Sequence, residues 1–153
     1  MAKRVEKPVI IHMTSEQWSN GQMLPSIHLT TEGSMSEENG IWEVGYDESE
    51  ATGMAGTRTK ISWSPSGFVR LKRSGSVEMD MVFRTGHHHR SEIAMPYGTL
   101  SFQLTTNEAS GHLDEAGGNV SLSYSLDFSK DAVISTNLKL VVETADRPFR
   151  ALQ

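Results

Sequence analysis

Every second residue from Val120 to Phe128 is large and apolar: Val120, Leu122, Tyr124, Leu126 and Phe128. Ser121, Ser123, Ser125 and Asp127 fill the positions between. A period of two sends alternate side chains to opposite faces of an extended strand, so this segment buries one wall and wets the other. The same alternation recurs from about Lys7 to Glu143 in strand-length pieces parted by turn residues, with no long helical period. Each such strand leaves an apolar face and an edge of unpaired amides, so the chain must close into a barrel or stack as a sandwich.

The expected strands are Pro8–Trp18, Ser26–Ser36, Ile41–Glu50, Thr57–Trp63, Phe68–Arg73, Val77–Arg84, a short Ser91–Met95, Tyr97–Leu113, Asn119–Phe128 and Ala132–Thr144. Ser19-Asn20-Gly21, Asn39-Gly40, Gly53 to Gly56, Ser64 to Gly67, Asp114 to Gly118 and Ser129-Lys130-Asp131 supply turns. Pro96 lacks a ladder donor and breaks the run before Tyr97. The alternation of Leu100, Phe102 and Leu104 changes parity before Leu113, which calls for a bulge near Ser110-Gly111. Connections this short cannot make parallel crossovers, so neighbouring strands pair antiparallel. The expected fold is therefore all-β, a single antiparallel up-and-down barrel of about eight to ten strands. It spans residues 8–144, with flexible tails at 1–7 and 145–153. A sandwich is the second choice.

A chain of 153 residues supports one domain with one core. The net charge of −5 does not favour general attraction to nucleic acid. There is no cysteine, which excludes disulfides and thiolate metal sites. The longest N-terminal apolar run, Val9 to Ile11, is too short for a secretion signal, and nothing approaches the ~20 apolar residues of a membrane helix. The expected protein is soluble and cytoplasmic, with no membrane partner.

Several local patterns in sequence order resemble the YwiB-like proteins, a bacterial group with a calycin-like (lipocalin-type) barrel. They are Pro8-Val9-Ile10-Ile11-His12, Thr31-Glu32-Gly33, Tyr46-Asp47-Glu48 and Thr52-Gly53 with Gly56-Thr57. Met81-Val82-Phe83, Pro96-Tyr97-Gly98 and Gly117-Gly118-Asn119-Val120 with Tyr124 complete the set. The resemblance covers nearly the whole chain. It departs where the group shows Ser-x-Tyr-x-Thr-Pro-Tyr-Gly, since Ser91, Ile93 and Met95 stand before Pro96 here. The resemblance implies the barrel and carries no activity with it.

Alternation also places polar residues on inward faces. Glu48 follows Trp42, Val44 and Tyr46, and Arg73 follows Val69 and Leu71, so the two mark a polar end of the barrel interior if both alternations continue. A charge carried inside must find a partner, because removing one from water costs several kcal/mol. The plainer reading leaves both at exposed strand ends. Thr31, Gly33, Tyr46, Thr57, Thr59, Met79, Met81, Phe83 and Tyr124 join them as a wall with room for a small apolar or amphipathic ligand, and Tyr97 is added as a ligand contact. The competing reading is an interior filled by its own side chains.

His87-His88-His89 could offer His87 and His89 to one metal ion, with Glu92 nearby; a solvated loop is the plainer reading. Arg58 and Lys60 face Arg70 and Lys72 across a hairpin, but no aromatic residue joins this basic ribbon to stack a base. There is no Gly-x-Ser-x-Gly elbow and no Gly-Lys-Ser/Thr phosphate loop, and the scattered carboxylates fix no catalytic separation. The sequence calls for no cofactor. Two readings stay open: a binding barrel for a small apolar or amphipathic molecule, or an interaction module acting through its outer surface, as a homodimer or with a protein partner.

Overall fold

Asn20 (φ 51°) and Asn39 (φ 56°) are the non-glycine residues with positive φ among those described, and each precedes a glycine at φ 85°. Two successive left-handed residues make the tight turn whose twist matches antiparallel strands. The first joins β1 (Lys7–Ser19) to the short β2 (Gln22–Met23), and the second joins β3 (Ile27–Glu38) to β4 (Ile41–Asp47). The chain continues through β5 (Thr57–Ser64), β6 (Phe68–Gly75), β7 (Glu78–Arg84) and β8 (His88–Met95). It ends with β9 (Gly98–Asp114), β10 (Gly117–Ser129) and β11 (Ala132–Thr144). The structure is a computed structural model that describes residues 6–129 and 132–144. The expected tails at 1–5 and 145–153, and Lys130 and Asp131 of the expected turn, lie outside the described residues; Lys7, assigned to a tail, opens β1.

Each strand pairs antiparallel with the next, except that β3 passes over β2 to pair with β1. β11 returns to β1 in a continuous register from Val9↔Thr144 to Ser19↔Ile134. Ten strands thus close into an antiparallel barrel, with β2 a spur on β1. This is the expected up-and-down meander. An eight-stranded barrel is just wide enough for its own side chains to fill, so ten strands need larger residues inside. Tyr46, Phe83, Phe102, Ile61, Leu71 and Leu140 are all fully buried. Phe83 packs on Tyr124 with ring centroids 4.7 Å apart, and Phe102 packs on Phe128 at 5.5 Å.

Most strand ends shift by one to three residues, β8 starting at His88 rather than Ser91, and three further features depart from expectation. The β9 bulge lies at Asn107, not near Ser110-Gly111, because the register steps from Ser123↔Glu108 to Tyr124↔Thr106. A bulged residue goes unpaired, which suits an exposed polar side chain such as Asn107. β4 stops at Asp47, short of Glu50, because a 3-10 turn at Glu50–Thr52 takes over, with the Ser49 hydroxyl accepting the Ala51 amide. Leu100 shares parity with Phe102 and Leu104 but is half exposed, since the end of the β8–β9 hairpin lies clear of the core.

Gly118 (φ 145°) lies on β10 against the β9 backbone: a Cβ there would stand 2.0 Å from the His112 carbonyl oxygen. Backbone cannot yield as a side-chain tip can. Gly118→Ala is therefore expected to lower stability by about 2–3 kcal/mol. Gly21→Ala, with nothing within 4 Å, should cost about 1 kcal/mol from its positive φ alone. Urea unfolding of the two variants checks the difference.

Candidate functional site

The inward alternation of β4 runs past the end of the strand. Glu48 is the residue after Asp47, yet its amide still donates to the Thr57 carbonyl at 2.8 Å, so it keeps the extended course and turns its side chain inward. That side chain has no exposed surface. Its Oε1 accepts the Thr52 hydroxyl at 2.8 Å, and its Oε2 accepts the Thr59 hydroxyl at 2.5 Å. Arg73, on β6 beside Thr59, brings Nε to 3.7 Å from Glu48 Oε2. The two strand-end charges therefore meet inside the barrel. At 3.7 Å the contact is an ion pair rather than a hydrogen bond. Arg73 Nε is buried with no hydrogen-bond acceptor, and Nη1 reaches only the Met79 sulfur at 3.8 Å.

Two phenols share this end. The Tyr46 hydroxyl donates to the Met13 sulfur at 3.6 Å. Burial first, and then the Glu48 charge, push its ionisation well above the ordinary tyrosine range, against a smaller opposing pull from Arg73. Burial raises Tyr124 likewise, opposed by Arg73 and by hydrogen bonding to Thr136. A phenol whose ionisation is raised by folding supports stability fully below its unfolded value, near pH ~10, and loses that support as pH climbs beyond it. In an alkaline titration, phenolate absorbance from Tyr46 and Tyr124 should therefore appear only together with unfolding. Tyr46→Phe should flatten the alkaline fall in stability.

The barrel wall is breached beside this cluster. β7 and β8 pair at Glu78↔Ala94 and Met79↔Ile93, and the ladder then stops. Continuing that register would set Asp80 directly against Glu92, two like charges on facing strands, which is destabilising. Residues 88–92 are all polar, so no apolar side chain holds that half of β8 to β7. Beyond the ladder the Ser91 hydroxyl donates to the Asp80 carbonyl at 2.8 Å, where a ladder amide would otherwise stand. The opening is a groove of about 370 Å³ bordered by Arg73, Met79, Asp80, Ser91, Glu92 and Ala94 among others. Arg73 thus faces Glu48 on one side and the breach on the other. Asp80 is turned to Arg70, which grips it through Nε at 2.8 Å and Nη2 at 2.5 Å, and this bond holds its carboxyl below the usual range.

Of the remaining candidate ligand residues, Met79 borders the groove and the others do not. Thr57, Thr59, Met81 and Phe83 are buried, Thr31, Gly33 and Met79 are half-buried, and the Thr57 hydroxyl accepts the Val77 amide at 3.1 Å. Tyr97 stands apart: it is 86% exposed at the β8–β9 turn, because the Pro96-Tyr97-Gly98 segment forms the turn itself. His87 lies in the turn before β8 and His89 lies on the strand. Among the described residues no three metal-ligating side chains converge. In the basic ribbon, Arg58 pairs with Asp47 at 3.1 Å, while exposed Lys60 and Lys72 stand opposite each other. The breach was missed from sequence. Its signal was the facing of Asp80 and Glu92 in the register that the β7–β8 hairpin begins.

No helix among the described residues is long and apolar enough to cross a membrane. The family described as Domain of unknown function (DUF1934) matches residues 11–140. The chain is 26% identical over 138 residues to the uncharacterized beta-barrel protein YwiB of Bacillus subtilis (strain 168), covering 90% of this chain and 94% of that one. The crystal structure of the ywiB protein from Bacillus subtilis superposes with a TM-score of 0.81 at 24% identity, over 92% of this chain and 93% of that chain. That likeness carries the barrel fold.

Proposed function

The chain belongs to the DUF1934 family, and from the breach in its wall we propose that it is a binding barrel for a small amphipathic molecule. The molecule is held between β7 and β8 rather than in an open lumen. On this reading the protein works as a calycin-type carrier in the cytoplasm, without cofactor or catalysis. The observation that carries it is the route from solvent to a buried charge, since the breach leads straight to Arg73. A groove of about 370 Å³ lies within the range of small-ligand sites, which combine an apolar lining with a few placed polar groups. Met79 and Ala94 supply the apolar part, and Arg73 and Ser91 the polar part. Native mass spectrometry of protein purified without detergent tests the reading. An added small-molecule mass, or uptake of octanol supplied in solution, is the expected result. A bare chain mass that stays bare with octanol, octanoate and octyl phosphate each supplied overturns it.

The apolar end of the β8–β9 hairpin favours a second reading. Tyr97 and Leu100 are exposed there at 86% and 50%, and exposed apolar surface marks contacts. On this reading the protein acts through its outer surface as a homodimer or on a protein partner. Sedimentation of the wild type and of Tyr97→Ser, Leu100→Ser separates the two, since only a dimer would dissociate.

A further inference from the structure

We propose that the molecule bound in the breach carries a carboxylate, and that the free edge of the Arg73 guanidinium grips it. This inference rests on the binding reading above and names the chemical class of the occupant. The Glu48–Arg73 pair is lopsided. Glu48 is served by two hydroxyl donors, Thr52 at 2.8 Å and Thr59 at 2.5 Å, so its charge is stabilised by bonds that do not involve Arg73. Arg73 has no such company. Nε lies too far from Glu48 Oε2 for a hydrogen bond, Nη1 has only a thioether, and Nη2 has no acceptor among the described residues. Nε is buried on the Glu48 side, so the open part of the planar fork is its far end, and the two oxygens of a carboxylate match Nη1 and Nη2 there in a bidentate bond.

Arg73 also borders the groove, which gives an incoming head group a path to the fork. Met79, whose sulfur takes Nη1, and Ala94 offer apolar surface beside it for the rest of the molecule. The surrounding charges decide between anions. Glu48 lies on the Nε side of the guanidinium, and Glu78 and Glu92 stand at the rim with Lys72, while Asp80 is taken by Arg70. One guanidinium among these carboxylates can accept one further negative charge far more readily than the near-double charge of a phosphate ester.

Titration calorimetry with octanoate, octanol and octyl phosphate at neutral pH tests this. Octanoate should bind at least tenfold more tightly than octanol and more tightly than octyl phosphate. Arg73→Lys, which keeps the charge and loses the fork, should weaken octanoate about tenfold and leave octanol unchanged. The double variant Glu48→Met, Arg73→Met, which leaves no buried charge unpaired, should abolish the preference for octanoate over octanol. Octanol binding as tightly as octanoate overturns the carboxylate while the binding barrel stands. Octyl phosphate binding more tightly than octanoate likewise overturns it in favour of a phosphate. Failure of all three probes to bind overturns the binding barrel and the carboxylate together.

Discussion

Glu48→Ala is expected to lower the unfolding free energy by about 3–5 kcal/mol, because it leaves a buried cation without its counter-charge. Arg73 cannot escape by shedding its proton, since a guanidinium stays charged at any pH a protein survives. Its side chain is 12% exposed, so some water reaches it through the breach and the loss should fall toward the lower end of that range. Part of the loss is local to the acid, as Thr59 loses its acceptor, while Thr52 can still turn to the Ser49 carbonyl at 3.1 Å. Glu48→Gln can keep an oxygen for one of these hydroxyls and should fall between wild type and Glu48→Ala. The double variant Glu48→Met, Arg73→Met should recover most of the stability, because a well-packed apolar pair of similar volume does as well as a buried ion pair. Urea midpoints with unchanged slopes would establish this. A double variant as unstable as Glu48→Ala would show that the pair, not the orphaned cation, sets the stability.

The barrel was readable because its determinants are local. The alternation of Val120 to Phe128 needs only the period of a strand, and Asn20-Gly21 and Asn39-Gly40 need only the twist of a tight turn. Glu48 was readable for a related reason: the alternation of β4 outlives the strand, because its amide keeps the next ladder bond, to Thr57. The bulge was not readable to the residue. A parity change between Leu104 and Leu113 can be met by an extra residue anywhere in that stretch, and only the pairing with β10 selects Asn107. Tyr97, expected as a ligand contact, stands exposed in the Pro96-Tyr97-Gly98 turn and outside the groove, because that turn carries it clear of the wall. The breach depends on Asp80 meeting Glu92 across a hairpin, a clash between residues each unremarkable on its own strand.

That breach makes β7 the strand on which a core deletion should matter most. Phe83→Ala is expected to cost about 3–5 kcal/mol, the usual range for an aromatic removed from a packed interior. Phe83 is wholly buried and rests on Tyr124, so its loss opens a cavity against a ring that cannot fill it without leaving its own packing. Collapse of the wall is the other way to close a cavity. Here β7 is tied to β6 along Phe68↔Arg84 to Arg73↔Met79, while the β8 ladder stops at Met79. Among the described residues, bonds to β9 come only past the strand end, at Thr85 and Gly86, so the backbone at Phe83 carries one ladder instead of two. Two effects should therefore appear together in Phe83→Ala: a lower urea midpoint, and faster amide exchange along residues 80–84 than along the doubly paired β10. Val82→Ala, on the outer face of the same strand and 41% exposed, should change stability by less than about 0.5 kcal/mol. If Phe83→Ala exchanged no faster on β7 than elsewhere, the single tie would be supporting the strand as well as two would, and the breach would be a closed seam rather than an opening.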